Sequence, residues 1–446
     1  MAGLTAGELG RKAVHMAVGA FAFAVRPLGA PLAAVAALVA IVFNALVLPR
    51  IGGRSLWREG EASRGFALGI VLYPVAVLLL VLIFARRLEV AAATWGILAF
   101  GDGMASIVGM TLGSRKLPWN PRKSWAGMFA FALFGGLAAA ILLVWTAPGT
   151  YSAGFAIAVA FATAIFAAGL ESQPLGLDDN LGVPLVSGLL LFCLVLTQGH
   201  WDIVASPFFR ERLGLGLAVN VALALAAFAT RGVGVSGAIV GTLLGTTIWA
   251  FAGGPAFALL FAFFVLGTAA TKLGYARKAA AGIAQEKGGR RGPGNALSKT
   301  SIPALAAIFA ATTGRPTLFL LALAGAFATA AFDTVSSEVG KAFGRRTFLI
   351  TTFRPVPRGT DGAVSLEGTL AGLAAGVALA GLGASLSLYP LVGILAVVFA
   401  ALVATTLESV IGATLEKRGL LDNEAVNFLN SLAGALLAAG GGALLL

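Results

Sequence analysis

Long apolar runs alternate with short polar segments along the whole chain. Each run has roughly 20 residues, which is enough for an α-helix to cross the hydrocarbon core of a bilayer. Because such runs recur throughout, one signal peptide or anchor does not account for them. The pattern predicts an all-α, polytopic integral membrane protein with about 15 transmembrane helices.

The predicted spans are separated by polar loops or by glycine and proline. They cover residues 13–29, 31–48, 66–84, 90–112, 125–146, 151–170, 183–198, 213–230, 234–252, 255–273, 301–313, 316–335, 363–384, 388–410 and 425–446. The run at 301–313 is short, and glycines interrupt the run at 90–112. The first residues contain no small-residue cleavage site, so we expect no segment to be removed there.

Composition agrees with a membrane protein. Of the 446 residues, 59% are hydrophobic and 11% are charged, whereas roughly a quarter are charged in soluble domains. Cys193 is the single cysteine, which excludes an internal disulfide and a thiolate metal cluster. A net charge of +12 would suggest nucleic acid as the partner of a soluble protein. Here we attribute the charge to membrane topology and expect no nucleic-acid partner.

The basic residues predict an orientation. With the N-terminus inside, 25 of the 31 Lys and Arg residues fall in inside segments and 6 fall outside. Lys and Arg accumulate in cytoplasmic loops, so this asymmetry places the N-terminus in the cytoplasm. We therefore expect a multi-pass protein of the cell inner (cytoplasmic) membrane.

The chain contains an internal repeat. The segment FGDGMASIVGMTLG at 100–113 corresponds to AFDTVSSEVGKAFG at 331–344. Aligning Asp102 with Asp333 also aligns Ser106 with Ser337, Gly109 with Gly340 and Gly113 with Gly344. Further on, both copies reach a helix start, which pairs Ser124 with Ser365, and Glu171-Ser172 then corresponds to Glu408-Ser409. The two copies end the fourth and the twelfth predicted spans, an even offset, so both face the same side and the repeat is parallel. We expect a unit at 1–205, a linker helix at 206–232 and a second unit at 233–446.

Polar residues of the first unit cluster at predicted cytoplasmic span ends. Asp102 is expensive to expose to lipid, so we expect it to face a cavity or an ion. Lys116, Lys123 and Ser124 precede a helix, whose N-terminus with flanking lysines suits an anion. Carboxylates follow in an acidic segment, which contains Glu171, Asp178 and Asp179. Carboxylates that hold Mg²⁺ beside a phosphate clamp are typical of phosphoryl transfer.

Two further features have alternative interpretations. The loop at 271–300 is either a flexible basic linker or a phosphate-gripping loop with Arg290, Arg291 and Asn295. His15, in the sequence RKAVH at the head of the first span, is either an interfacial histidine or a site residue.

At these motifs the first unit resembles the phytol kinase and dolichol kinase family. The resemblance rests on RKAVH at 11–15, FGDGMASIVGMTLGSRKLPWNPRKSWAG at 100–127 and ESQPLGLDDNLGVPL at 171–185. It implies a kinase that transfers phosphate from CTP, or another nucleoside triphosphate, to a polyprenyl alcohol. Phytol and geranylgeraniol are the acceptors implied.

The second unit resembles the family of phytyl-phosphate kinases. The resemblance rests on GVGVSGAIVGTLLG at 232–245, GGRRGPGNAL at 288–297, the long segment at 332–372 and DNEAVNFLNSLAG at 422–434. It implies the addition of a second phosphate to a prenyl phosphate. The two resemblances together imply a bifunctional kinase that makes a prenyl diphosphate.

The resemblances imply roles for the polar residues. In the first unit, Asp102, Asp178 and Asp179 would hold Mg²⁺, and His15 would contact or deprotonate the alcohol. In the same unit, Lys116, Lys123 and Ser124 would bind the phosphates of the nucleotide. In the second unit, Asp333, Glu338 and Asp422 would serve the metal. The phosphates in the second unit would be bound by Lys341, Arg358, Ser365 and the 288–295 loop. The second unit has no RKxxH motif, so the role of His15 does not transfer to it.

Two other functions fit parts of the pattern. Parallel repeats also occur in transporters, although the polar groups here lie at one face and few charges are predicted mid-membrane. The same fold could also transfer a cytidylyl group to a lipid phosphate, which would release pyrophosphate instead of CDP. Acceptor chain length, nucleotide preference and oligomeric state are left open by the sequence.

Overall fold

A computed structural model describes residues 6–51, 68–174, 178–230, 232–284 and 292–446. Within these residues the chain is mainly helical and contains two short antiparallel β-hairpins. It forms two compact units, Met1–Gln198 and Gly199–Leu446. We call them the N-terminal unit and the C-terminal unit.

The described part of the N-terminal unit consists of helices and one short β-hairpin. The elements are α1 (Ala6–Gly19), α2 (Val25–Val42), α3 (Leu68–Ile83), α4 (Leu88–Gly96), α5 (Asp102–Thr111), β1 (Lys116–Leu117), β2 (Asn120–Ser124), α6 (Trp125–Thr146), α7 (Ala153–Glu171) and α8 (Asp179–Val195). A 3₁₀ turn at Ala20–Ala24 joins α1 to α2, and a π-helical turn at Ile97–Gly101 joins α4 to α5.

The C-terminal unit has the same kinds of element. They are α9 (Asp202–Ala205), α10 (Pro207–Ala229), α11 (Val235–Lys272), α12 (Tyr275–Ala280), α13 (Pro293–Thr312), α14 (Pro316–Phe343), β3 (Thr347–Leu349), β4 (Ala363–Ser365), α15 (Leu366–Ser385), α16 (Gly393–Ile411) and α17 (Asn423–Leu445). The helix expected to link the units, α10, packs on α11 where Gly216 meets Trp249, so it is part of the C-terminal unit.

Ten helical segments in the described ranges are long and apolar enough to cross a membrane. Two shorter apolar helices, Gly69–Ile83 and Asp179–Val195, accompany them. The segment Leu9–Arg50 has 42 residues and α11 has 38 residues, and each contains an internal break. The architecture is that of an all-α polytopic membrane protein, while the number of about 15 spans stays a prediction.

The two breaks occur at matching Gly-x-Pro sequences. Gly29 has φ 65° and ψ 175°, and Gly253 has φ 79° and ψ −179°. This region of backbone space is open essentially to glycine alone. Gly237 and Phe263 line one pocket, although a straight helix would hold them roughly 39 Å apart. The chain therefore folds back at Gly253, where the sequence predicted separate spans at 234–252 and 255–273.

The segment that contains the motif aspartate is the most buried candidate span of each unit. Inside the protein, 67% of the apolar segment of Leu88–Thr111 and 78% of that of α14 are buried. Alanine and glycine dominate α14, and small residues of this kind let neighbouring membrane helices approach closely. As a result, Asp102 and Asp333 lie on helices that many other elements surround.

Candidate functional site

Asp102 is the centre of a polar cluster in the N-terminal unit. It begins α5 directly after the π-helical turn. Lys12 of α1 donates from Nζ to Oδ2 of Asp102 at 2.6 Å, and Nε2 of His15 lies 3.7 Å from the same oxygen. Lys12 and His15 are three residues apart in one helix, so both side chains occupy one face. The RKAVH motif thus meets the motif aspartate.

His15 is held by several neighbours. Its Nε2 lies 3.3 Å from the carbonyl oxygen of Leu98, and its ring lies 4.5 Å from the ring of Tyr73. Trp95 in turn donates from Nε1 to the Tyr73 hydroxyl at 2.8 Å. Packing and hydrogen bonds therefore fix the imidazole beside Asp102, as proton transfer to a bound group requires.

Glycines around Asp102 make room for neighbouring helices. A Cβ at Gly101 would meet the ring of Phe131 at 3.0 Å, and a Cβ at Gly103 would meet Met16 at 2.5 Å. The sequence left open whether these glycines admit a ligand or another helix. In the structure the space is taken by side chains from α6 and α1.

Lys123 is the second basic centre of the N-terminal unit. It lies in β2 and donates from Nζ to Glu171 Oε1 at 2.5 Å and to Asp179 Oδ2 at 3.2 Å. Burial opposes the charge of the ammonium group, but the two carboxylates outweigh burial and raise the pKa of Lys123 above its ordinary value. Lys123 therefore brings together the predicted clamp and two of the predicted metal ligands.

The remaining predicted residues of this unit have local roles. Ser124 is the N-cap of α6, and its hydroxyl accepts from the backbone N–H of Gly127 at 3.2 Å. Asp178 is the N-cap of α8 and accepts from the backbone N–H of Asn180 at 2.9 Å. Lys116 lies exposed in β1, in register with Ser124 of β2.

A polar cavity of about 460 Å³ lies in the C-terminal unit. Its volume is within the range of small-molecule sites in proteins. Predicted residues that line it are Asn295, Asp333, Glu338, Lys341 and Ser365. Further lining side chains that were not predicted as site residues include Lys299, Asp361, Thr405, Glu408 and Glu416. The cavity thus combines carboxylates, lysines and a helix N-terminus.

Lys299 and Glu408 meet Asp333 in this cavity. Lys299 of α13 donates from Nζ to Oδ2 of Asp333 and to the hydroxyl of Thr334, both at 2.8 Å. Glu408 and Asp333 line the same cavity and are close enough for their carboxyl groups to interact. Two ionised carboxylates repel each other, so positive charge from Lys299, a proton or a metal cation stabilises the pair.

Thr405 contributes a hydroxyl group to this cavity. It lies one helical turn before Glu408, is buried and lines the same cavity. Among the described residues its hydroxyl has no hydrogen-bond partner, whereas that of the next residue, Thr406, donates to the carbonyl of Leu402 at 2.7 Å. A buried hydroxyl normally finds a partner, so this one is available to a ligand.

Other predicted residues of the C-terminal unit have partners or positions of their own. Glu338 forms a buried ion pair with Lys278. Asp422 is exposed and accepts as the N-cap of α17 from the backbone N–H of Ala425 at 2.8 Å. Arg358 is exposed in the loop between β3 and β4. Arg290 and Arg291 lie outside the described residues.

The donor sets differ in how well they suit Mg²⁺. Among the described residues, no group of three or more His, Cys, Asp or Glu side chains is placed to hold a metal. In the N-terminal unit, Lys12 pairs with Asp102, and Lys123 pairs with both Glu171 and Asp179. In the C-terminal unit, Lys299 likewise pairs with Asp333, and Glu408 adds a second carboxylate to the same cavity. Asp333 and Glu408 together suit Mg²⁺, because this ion needs only one or two carboxylates when substrate phosphates supply further oxygens.

The two motif segments share one local geometry. Ser365 caps α15 by accepting from the backbone N–H of Gly368 at 3.1 Å, as Ser124 caps α6. A Cβ at Gly344 would lie 2.6 Å from the carbonyl oxygen of Gly340 and 3.0 Å from the Ser365 hydroxyl. A Cβ at Gly113 would lie 2.0 Å from the carbonyl oxygen of Gly109 and 2.4 Å from the Ser124 hydroxyl. Glycine is therefore required at both positions by the close approach of a backbone carbonyl, with the capping serine beside it.

Three residues of these centres were missed by the sequence analysis, although each had a signal. Lys12 lies one turn before His15 in the RKAVH motif. Lys299 borders a predicted span, where a charged residue is itself a sign of function. Glu408 aligns with Glu171 in the internal repeat, but it was not included among the site residues.

Residues 218–435 match the family model described as Integral membrane protein DUF92. An uncharacterised membrane protein of Synechocystis sp. is 49% identical over 44% of this chain and 78% of its own length. Protein VTE6, chloroplastic, of Arabidopsis thaliana is 41% identical over 46% of this chain, and the match spans 64% of that protein.

A probable chloroplastic phytol kinase of Triticum aestivum is 32% identical over 42% of this chain and 67% of its own length. No solved structure matches the chain. The extent and identity of the match to the Synechocystis protein, together with the family model, establish the family. The chain belongs to the DUF92 family of integral membrane proteins.

Proposed function

We propose that this protein is a membrane lipid kinase that phosphorylates a prenyl alcohol in two steps. In this proposal the N-terminal unit makes the monophosphate, and the C-terminal unit makes the diphosphate. CTP or another nucleoside triphosphate is the phosphoryl donor. The observation that carries the proposal is the polar cavity of the C-terminal unit, where Lys299, Asp333 and Glu408 meet.

Similar proteins support the choice of substrate. Relatives of this chain are named phytol kinases, among them proteins of Triticum aestivum and Arabidopsis thaliana. A prenyl alcohol and a prenyl phosphate are both amphiphilic, so a protein with many apolar helices suits them. Phosphoryl transfer requires mainly positioning and charge neutralisation, which lysines, carboxylates and a helix N-terminus provide.

The first step uses His15 and Asp102. The alcohol oxygen forms a bond to the γ-phosphorus, and the bond from that phosphorus to the β–γ bridging oxygen breaks. His15 accepts the alcohol proton, and the nucleoside diphosphate leaves. Asp102, 3.7 Å from the imidazole, stabilises the positive charge that develops there. Lys123 and the N-terminus of α6 would bind the phosphates.

The second step requires no base. An oxygen of the prenyl monophosphate is already ionised, and it attacks the γ-phosphorus while the nucleoside diphosphate leaves. Lys299 and Lys341 would reduce the repulsion between the two anionic substrates.

Mg²⁺ is part of the proposal for the C-terminal unit. Asp333 and Glu408 would hold it, and it would neutralise charge on the nucleotide phosphates. The prediction that Glu338 and Asp422 also bind the metal stays untested, as do the metal roles of Glu171, Asp178 and Asp179. We further propose that both centres face the cytoplasm, which the charge asymmetry of the loops supports.

Product analysis tests the two-step reaction. Membranes that contain the full chain are incubated with phytol and γ-labelled CTP, and the lipid products are separated. We expect phytyl monophosphate and diphosphate from the wild type, no labelled lipid from Asp102→Asn, and accumulated monophosphate from Asp333→Asn. Asp202→Asn, an exposed carboxylate of α9, is the matched control.

The outcomes separate the alternatives. If neither Asp102→Asn nor Asp333→Asn alters the products, the two-site proposal is wrong. Release of pyrophosphate in place of CDP would identify cytidylyl transfer. Absence of any nucleotide-dependent product, together with solute flux into proteoliposomes, would identify a transporter.

A further inference from the structure

A small apolar pocket adjoins the polar cavity of the C-terminal unit. It has a volume of about 100 Å³ and lies among the two halves of α11 and the start of α13. Gly237 and Gly241 line it from the first half, and Leu260 and Phe263 line it from the second half. Because α11 folds back at Gly253, both halves face the same space.

Asn295 connects this pocket to the polar cavity. Of the described residues, it is the one that lines both spaces, and it lies in the first turn of α13. Four residues later in the same helix, Lys299 contacts Asp333. The apolar pocket therefore begins next to the group that we propose to act on a phosphate.

The size of the pocket selects the part of a lipid that it can hold. An apolar cavity of about 150 Å³ holds benzene, which has six carbons. A space of about 100 Å³ is on the scale of one isoprene unit, which has five carbons. The remainder of a prenyl chain would lie outside the pocket.

We propose that this pocket binds the first isoprene unit of a prenyl phosphate while its phosphate lies in the polar cavity. This inference rests on the proposed function and adds a specificity site that consists of Gly241, Leu260, Phe263 and Asn295. The pocket then discriminates branched prenyl chains from straight alkyl chains, and it is indifferent to chain length beyond the first unit.

Gly241 is the position at which the pocket can be filled. A Cβ added there meets no atom within 4 Å, so a larger side chain has space to enter. Leucine also has a higher helix propensity than glycine, so Gly241→Leu does not disfavour the helix. Gly381 of α15 has the same open surroundings and does not line the pocket, so Gly381→Leu is the matched control.

The test compares two acceptors with the full chain in detergent. Phytyl phosphate is branched, and n-hexadecyl phosphate is a straight chain. We expect Gly241→Leu to raise KM for phytyl phosphate at least about 10-fold and to remove the preference over n-hexadecyl phosphate. The kcat should change little, because a tail contact is the same in the ground state and the transition state. Gly381→Leu should match the wild type.

Two results distinguish this inference from the proposed function. If the wild type phosphorylates phytyl phosphate and Gly241→Leu keeps its KM and preference, the pocket assignment is overturned while the kinase function stands. If the wild type phosphorylates no prenyl phosphate, the proposed function fails. Binding of labelled phytyl phosphate without nucleotide then tests the pocket alone, and unchanged binding by Gly241→Leu overturns it.

Discussion

Lys299 and Asp333 are joined by a 2.8 Å contact between Nζ and Oδ2. The motif aspartate of the N-terminal unit, Asp102, is also joined to a lysine, Lys12, at 2.6 Å. The two lysines come from different elements, since Lys12 lies on α1 and Lys299 on α13, directly before the aspartate helix α14. The same carboxylate–lysine pair is therefore formed from unlike parts of the two units.

The first prediction concerns Lys299. Lys299→Met keeps the apolar length of the side chain and removes the charge that neutralises Asp333. Loss of one preorganised electrostatic contact typically costs about 10²-fold in rate. We expect phytyl monophosphate to accumulate while its formation from phytol is unchanged, as measured by product analysis with labelled CTP. Lys272→Met, at the exposed end of α11, is the control, and equal diphosphate yields from both variants would contradict the prediction.

The second prediction concerns Glu408. Glu408→Gln removes one of the two carboxylates that we propose for Mg²⁺, leaving Asp333 in place. We expect the Mg²⁺ concentration for half-maximal phosphorylation of phytyl phosphate to rise about 10-fold or more. Binding of Mn²⁺, followed by electron paramagnetic resonance, should weaken in parallel. The exposed Glu211→Gln serves as the control, and a variant with wild-type metal dependence would refute the role of Glu408.

The third prediction concerns the N-cap of α15. The Ser365 hydroxyl satisfies the backbone N–H of Gly368, so Ser365→Ala should destabilise the C-terminal unit by about 1 kcal/mol. Thermal unfolding in detergent measures this as a lower Tm. Ser337 is exposed, and its hydroxyl donates to the carbonyl of Thr334. The control variant Ser337→Ala should therefore leave Tm unchanged. Equal Tm values for the two variants would show that the cap contributes nothing.

The fourth prediction concerns the break in α11. Gly253 has backbone angles that side chains disfavour, so Gly253→Ala should cost about 1–3 kcal/mol in the free energy of unfolding. Gly254 is the matched control, because a Cβ there meets no atom closer than 3.8 Å. Comparison of the two alanine variants by denaturant unfolding tests the effect. A stable Gly253→Ala variant would mean that the chain does not need this turn.

The fifth prediction concerns pH. Glu171 and Asp179 outweigh the effect of burial and raise the pKa of Lys123 above its ordinary value of 10.5. A raised folded-state pKa gives stability that is complete below the unfolded-state pKa and is lost as pH rises through the folded-state pKa. Lys123→Gln should therefore lower stability by about 1–3 kcal/mol at pH 7.

Unfolding of the wild type and of Lys123→Gln between pH 7 and pH 11 measures this contribution. The difference between the two proteins should stay constant up to about pH 10 and should decrease only above it. A difference that already decreases between pH 7 and pH 9 would show that Lys123 is not held by the two carboxylates.

The sequence alone determined the class of the protein and the location of its motifs. Apolar runs of membrane-spanning length predicted an all-α polytopic membrane protein, and the helical architecture and the family agree with this. The matching glycines and capping serines around Ser124 and Ser365 could also be predicted from the sequence. N-caps and close-packed glycines depend on residues that are near each other in the chain. Such local signals need no knowledge of the tertiary fold.

Only the tertiary structure decided which polar groups meet. Lys12 and Asp102 are 90 positions apart, and Lys299 and Asp333 are 34 apart. Residues this far apart in sequence meet only when their helices pack, and the sequence does not indicate which neighbour each helix packs against. The contact between Asp333 and Glu408, and the pocket beside Asn295, depend on how whole helices pack, because the hydrophobic effect has no direction.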